Sequence, residues 1–429
     1  MTLSVDDLSR LLLALTLLLS AAHASGYLFA RLRQPRVIGE ILGGLLLGPT
    51  VFGALLPELL GFVFPSAGPT PVVLDALYQL GLLLLMFGAG AELRSSFQPG
   101  EGRTVCAVTV TGMVVPFAVG LGFVALLPAA DLIGPAQSRA AFVLVFSLAI
   151  AVTSIPVISR IMSDLGIQGT PFARIVLAVA VIEDVIVYVI LAIAIALVTP
   201  ASDHAFGLQK LLRLVPGTAA SIAYHVTVTL TFLAFARWLG PRMYRSVRRF
   251  RFNLVRRGSP IGFQLAFMLA VTVLATLLGV VPLFGAFLAG IAVSASGRDG
   301  LADARESIRS FALAFFIPLY FAMVGLRLDL LHGFSPLFFV LFFTVACIAK
   351  AASVWVGARL AGETQIGARN LAVALNARGG PGIVLASVAF DRGIISQEFY
   401  AVLVLLAITT SLLAGSWLDR VVRSGAALR

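Results

Sequence analysis

Runs of apolar residues, each about twenty long, follow one another along this chain almost without pause, separated by short joints that hold most of its charge. A helix of roughly 20 apolar residues is what crosses the hydrocarbon of a bilayer, where every backbone polar group must find its partner inside the protein. We therefore expect an all-α polytopic membrane protein. About 13 transmembrane helices fit the pattern, centred near Thr16, Leu46, Leu84, Val114, Ala151, Asp184, Val228, Ala270, Ala289, Tyr320, Ala346, Arg378 and Ile408. Of 429 residues only 12% are charged, against about 25% in soluble domains, so water is not the solvent of most of this surface.

Lysines and arginines number 31 against 20 acidic residues. Such an excess would suit nucleic acid, but its distribution suits a membrane better. With an odd number of spans the termini lie on opposite sides. One side then holds 23 of the cations, including eight arginines from Arg237 to Arg257, and the other holds 6, namely Arg10, Arg139, Lys210, Arg213, Arg327 and Arg392. Because cytoplasmic joints carry the excess of basic residues, the N-terminus is expected outside and the C-terminus in the cytoplasm, with no nucleic-acid partner.

The first apolar run, ending in Ala22-His23-Ala24, has some features of a cleavable signal peptide. Asp6 and Asp7 near its start oppose that, and cleavage would invert the charge asymmetry, so it is read as a helix. After the last span only about ten residues remain, and no soluble regulatory domain is expected. The basic joint divides the chain into a first repeat plus linker helix over 1–239 (core helices about 104–198), a basic cytoplasmic loop over 240–259, and a second repeat over 260–429 (core helices about 334–420). That loop is expected to touch anionic membrane lipid. Cys106 and Cys347 lie within apolar runs and, like the four histidines, show no metal-ligand spacing; no phosphate loop appears and no cofactor is expected.

Charges deep in a bilayer are costly and mark functional sites by default. Four stand out: Glu183 and Asp184 in the middle of the sixth span, Lys350 in the eleventh and Arg378 in the twelfth. Neighbours on a helix point about 100° apart, so one acid is free when the other is paired. Internal ion pairs that merely steady the bundle are the plainer reading, but desolvation offsets their attraction. Two spans also carry helix-breaking sequences, Thr153-Ser154-Ile155-Pro156 in the fifth and Gly379-Gly380-Pro381-Gly382 in the twelfth. Interrupted helices at corresponding places in two halves point to a transporter's midplane site. Seven spans apart, the two run in opposite directions, as two inverted-topology repeats with discontinuous crossing helices require.

These residues resemble the cation/proton antiporter superfamily, in particular its second branch of bacterial sodium or potassium/proton exchangers. The likeness rests on Val37-Ile-Gly-Glu-Ile-Leu-Gly-Gly-Leu-Leu-Leu-Gly-Pro49, on Thr153, Ser154 and Pro156, on Glu183-Asp184, on Lys350, and on Ala377-Arg378-Gly379-Gly380. It spans essentially the whole chain. The resemblance implies that Asp184 binds the transported monovalent cation and the proton in turn, with Thr153 and Ser154 beside it. It also implies that Glu183 pairs with Lys350, that Arg378 compensates charge, and that the protein is a homodimer in the inner cell membrane. Glu183 departs from the family pattern, where Asp, Asn or Gln is usual, which leaves the ion and the stoichiometry open.

The expected function is exchange of a monovalent cation, sodium first and potassium or lithium as alternatives, for protons by alternating access. A potassium-efflux type transporter is a variant of that reading. An intramembrane acid-base enzyme using the two acids is a rival, weakened because neighbours on one helix diverge. A channel lacks any visible filter loop. Glu40, within the second-span motif, is assigned either to a cytoplasmic funnel or to a helix end. Gly39 with Gly43 and Gly285 with Gly290 are read as close-packing faces.

Overall fold

The computed structural model describes residues 4–92, 101–198, 219–250, 253–294 and 302–429, and among them the chain is helical with no strand longer than a single bridge, Ile133 to Ile395. Ten helical segments are long and apolar enough to cross a membrane, and Arg139–Ala151, Val226–Phe235 and Pro282–Ser294 are shorter apolar helices. Each expected span centre falls on one of these segments. Of the cations used above to orient the chain, Arg94, Lys210, Arg213, Arg251 and Arg298 lie outside the described residues.

Two packing groups form the bundle. In the first, α1 (Val5–Arg31), α2 (Arg36–Leu47), α4 (Pro69–Glu92), α12 (Pro260–Leu277), α13 (Pro282–Ser294) and α15 (Ile317–Leu326) pack on one another; α3 (Pro57–Val63) and α14 (Ala302–Phe311) lie at its margin. In the second, α5 (Gly102–Leu126) packs on α6 (Arg139–Ala151), α8 (Pro171–Ala196) and α16 (Pro336–Leu360). The same group holds α7 (Ile155–Asp164), α17 (Gln365–Ala374), α18 (Gly379–Asp391) and α19 (Gln397–Arg423). Between them α9 (Ala219–Trp238) touches α8 and α13, one helix from each group.

Close approach of backbones holds the first group together. A Cβ on Gly43 would stand 2.6 Å from the Ala21 carbonyl oxygen of α1, and one on Gly290 would collide with the Phe87 carbonyl of α4. Lipid is as apolar as leucine, so helices in a membrane associate through contacts of this kind rather than through hydrophobic exclusion.

The segment 240–259, expected as a loop, is largely helical, in α10 (Gly240–Arg249) and α11 (Leu254–Gly258). Gly240, Pro241 and Tyr244 fall on one side of α10 and are buried, with the Tyr244 ring 5.6 and 4.9 Å from Phe263 and Phe267 of α12, while Arg242, Arg245 and Arg249 are exposed. An apolar stripe at helical spacing was therefore hidden among the arginines.

The two groups meet at a seam, and at one end of the bundle it is crossed by side chains. Arg327, following α15, donates to Asp391 of α18 at 2.9 Å and to Asp75 of α4 at 3.1 Å, its guanidinium 4.4 Å from the Tyr78 ring centroid. At the other end, the Thr104 hydroxyl and the Arg429 guanidinium hold Glu363, at 2.8 Å and at 2.8 and 2.7 Å. Burial alone raises this carboxyl, but the hydrogen bonds from Arg429 and Thr104 outweigh it and bring Glu363 below its ordinary value of 4.5.

Two measurements follow from this packing. Gly290→Val is expected to destabilise the purified protein by about 1–3 kcal/mol through overpacking. Gly122→Val is the control, since a Cβ at Gly122 meets open space; equal melting shifts would refute the close-packing account. Because the Glu363 carboxyl is lowered on folding, the stability it adds is fully present above its unfolded value of about 4.5 and is lost as the pH falls below it. The melting difference between wild type and Glu363→Gln is thus expected to fade only in acid; fading near neutral pH would contradict it.

Candidate functional site

The crossover begins where α6 stops at Ala151 and α7 starts at Ile155, leaving residues 152–154 as a non-helical joint at the centre of the second group. Pro156 explains the stop, since it has no N–H to give the Val152 carbonyl, and it falls in the first turn of α7, where that N–H is not needed. Opposite, α17 ends at Ala374 and α18 starts at Gly379. This second break lies at Leu375–Arg378, just before the expected Gly379-Gly380-Pro381-Gly382. Those four residues form the first turn of α18, where the missing N–H of Pro381 costs nothing. A side chain on Gly379 would collide with Val157 of α7, so glycine here lets the broken helices touch.

Thr153 and Ser154 tie the two breaks together. The Thr153 hydroxyl donates to the Leu375 carbonyl at 2.6 Å, the Ser154 amide donates to the Ala377 carbonyl at 2.8 Å, and the Ser154 hydroxyl accepts from the Gly380 amide at 2.8 Å. The structure thus turns both hydroxyls toward the crossing backbone, and Thr153 also lies beside the Glu183 carboxyl.

A helix that ends at Ala151 presents carbonyls and the negative end of its dipole to the interior of the second group. Two buried cations meet them. Arg378 donates to Ala149 at 3.2 Å and to Ile150 at 2.9 Å, with further bonds to Ala346 at 2.7 Å and to the Asn376 side chain at 2.6 Å. The Lys350 ammonium donates to Ala151 at 2.6 Å, to the Gly112 carbonyl at 2.9 Å, and to both Glu183 oxygens at 2.8 and 2.9 Å. Both cations and Glu183 are essentially inaccessible to solvent. Desolvation makes a pair like this a poor source of net stability, yet losing one partner is severe.

Asp184 differs. It is fully buried, and neither carboxylate oxygen has a hydrogen-bond partner. One turn further along the same face of α8, the Tyr188 hydroxyl contacts Met86 Sδ of α4 at 2.8 Å, and its ring lies 5.6 and 5.7 Å from Phe284 and Phe287 of α13. Asp184 therefore looks toward the seam while Glu183 looks into the second group, as the 100° step between neighbours dictates. Glu40 belongs to the first group, on α2, half-buried against Gly26 of α1. Among the described residues no cluster of three His, Cys, Asp or Glu side chains has the arrangement of a metal centre.

Lys350 and Arg378 meet freed carbonyls at the first broken helix, as expected of cations placed beside opposed helix ends, whereas the parts of Gly112 and Asn376 carry no such expectation. Backbone acceptors leave no mark in a sequence; Gly112 itself packs closely on the pair, since a Cβ there would stand 3.4 Å from Glu183 Oε1 and 3.0 Å from Val354.

The family model described as "Sodium/hydrogen exchanger, transmembrane" matches residues 14–424. The chain is 29% identical over 420 residues to the Na(+)/H(+) antiporter NhaS4 of Synechocystis, covering 95% of this chain and 96% of that one. It is 28% identical over 409 residues to Cation/H(+) antiporter 18 of Arabidopsis thaliana, covering 93% of this chain but 47% of the plant protein, so it spans about half the length of such relatives. The structure of the sodium proton antiporter MjNhaP1 from Methanocaldococcus jannaschii superposes with a TM-score of 0.64 at 14% identity, over 97% of this chain and 99% of that one, which shows a shared fold.

Replacing Lys350 by Met should destabilise the protein by about 3–5 kcal/mol, because Glu183 is then left buried without a counter-charge. Adding Glu183→Gln should restore much of the loss in thermal melts. A double variant no more stable than the single one would contradict the ion-pair account.

Proposed function

This chain belongs to the sodium/hydrogen exchanger family, and from that premise we propose that it exchanges a monovalent cation, sodium first, for protons through the Asp184 carboxylate. The family is one of transporters, not enzymes, and the protein is integral to the membrane. What carries the proposal is the contrast within one dipeptide: Glu183 is fully neutralised by Lys350, whereas Asp184, equally buried, has no partner on either oxygen. A carboxylate out of water must be compensated by a proton or a cation, and a group that takes only one of the two at a time couples their movements.

The dipeptide divides the work. Asp184 faces the seam, so rocking of one helix group against the other exposes it to each side in turn. Hard cations need several oxygens, which Asp184 supplies together with water and carbonyls freed at the crossover; Thr153 and Ser154 act through the crossover that they hold. Glu183 and Lys350 form the switch that opens as the cation enters, while Arg378 keeps the end of α6 neutral. Release of the Lys350 proton in one state makes transport electrogenic. Two inverted repeats, with α5–α8 and α16–α19 as core and α9 as linker, agree with the packing groups, and thirteen crossings with the helical segments. We also propose a homodimer with its N-terminus outside and C-terminus in the cytoplasm, the latter supported by the arginine distribution.

In proteoliposomes, Asp184→Asn should abolish sodium-driven proton flux, a loss of at least ~100-fold given the weight of a buried charge on the transported ion. Exchange at wild-type rate would overturn the assignment.

A further inference from the structure

Within α5, Pro116 stands four residues beyond Gly112. In an unbroken helix the amide at position 116 would bond the carbonyl at 112, but proline has no amide hydrogen. That same carbonyl accepts from Lys350 at 2.9 Å. The second carbonyl on Lys350, that of Ala151, is freed by the break between α6 and α7. Two helices thus each give up a backbone bond at the point where the ammonium sits.

We propose that Pro116 is a positioning residue for the exchange reaction: by leaving the Gly112 carbonyl without a helical donor, it builds half of a two-carbonyl seat that holds Lys350 when Glu183 lets go. An ammonium has three hydrogens, and here they meet three acceptor groups, Gly112, Ala151 and the Glu183 carboxylate. When the carboxylate disengages, two of three remain. Lys350 then stays in place, ready to recapture Glu183, instead of standing unpaired in a dry interior. Pro116 is buried, consistent with a role inside the core. The charged groups facing this ammonium are Glu183 of α8 and Arg378 at the start of α18, with Asp184 next to Glu183; a change at Pro116 leaves all of them unchanged.

The inference deepens the exchange reading and rests on it for the role of Lys350, but its first test does not need transport. Pro116→Ala restores the amide, which competes with Lys350 for Gly112. In thermal melts of the purified full chain, Pro116→Ala should raise the melting temperature in a Glu183→Gln/Lys350→Met background, where the amide simply completes α5. In the wild-type background it should raise it less or lower it. Equal shifts in both backgrounds would overturn the proposal, since a purely architectural proline gives additive effects. In proteoliposomes, Pro116→Ala should move the alkaline limb of the exchange rate to lower pH, because a charged Lys350 has lost an acceptor; an unmoved profile in an active variant would equally overturn it. If wild-type protein exchanges no cation, the exchange reading fails while the melting cycle still decides whether Pro116 serves Lys350.

Discussion

The buried Lys350–Glu183 ion pair is the interaction on which the centre of this molecule depends. It links α16 to α8, and through the carbonyls of Gly112 and Ala151 it also reaches α5 and α6. Four helices are joined at one ammonium. Breaking a helix in a membrane exposes backbone groups that lipid cannot satisfy, and here the cations satisfy them: Lys350 takes the last carbonyl of α6, and Arg378 takes the two before it. The intramembrane charges and the broken helices are therefore one construction. Neither is stable in hydrocarbon without the other.

That construction leaves a single acid outside the network. Successive residues on α8 point in different directions, so a dipeptide of two acids gives one to the interior of the second helix group and one to the seam. Glu183 is spent on Lys350, and Asp184, one turn before the Tyr188 that reaches Met86 of α4, has no donor on either oxygen. Side chains cross the seam at the Arg327 end, but partly exposed pairs of this kind are individually weak. Buried side chains cross the seam as well, Tyr188 to Met86 Sδ and the Tyr400 hydroxyl to the Val324 carbonyl, so the proposed rocking has to exchange these contacts too.

Much of this was legible in the sequence because the membrane is a strict solvent. Apolar runs gave the spans, and the cost of burying charge singled out Glu183, Asp184, Lys350 and Arg378 before any geometry was known. Pro156 announced the first break within a residue or two. The second break was misplaced onto Gly379–Gly382, since glycine and proline signal a helix end without saying which side of it they occupy; here they open α18. The basic segment reads as a loop in the sequence because its arginines mask the short apolar stripe around Tyr244. Least legible were the backbone acceptors. Gly112 carries no side chain, and its part in the site follows only from Pro116 one turn later and Lys350 far along the chain.

The central claim is that one carboxylate, Asp184, takes either a proton or a cation. Sodium binding to the purified protein, measured by calorimetry across a pH series, tests it most directly. Competition at one site predicts that the apparent Kd rises by about tenfold for each unit of pH below the titration of that carboxylate, and that one proton is released for each sodium bound. A sodium affinity that does not change with pH, with no proton released, would contradict the account.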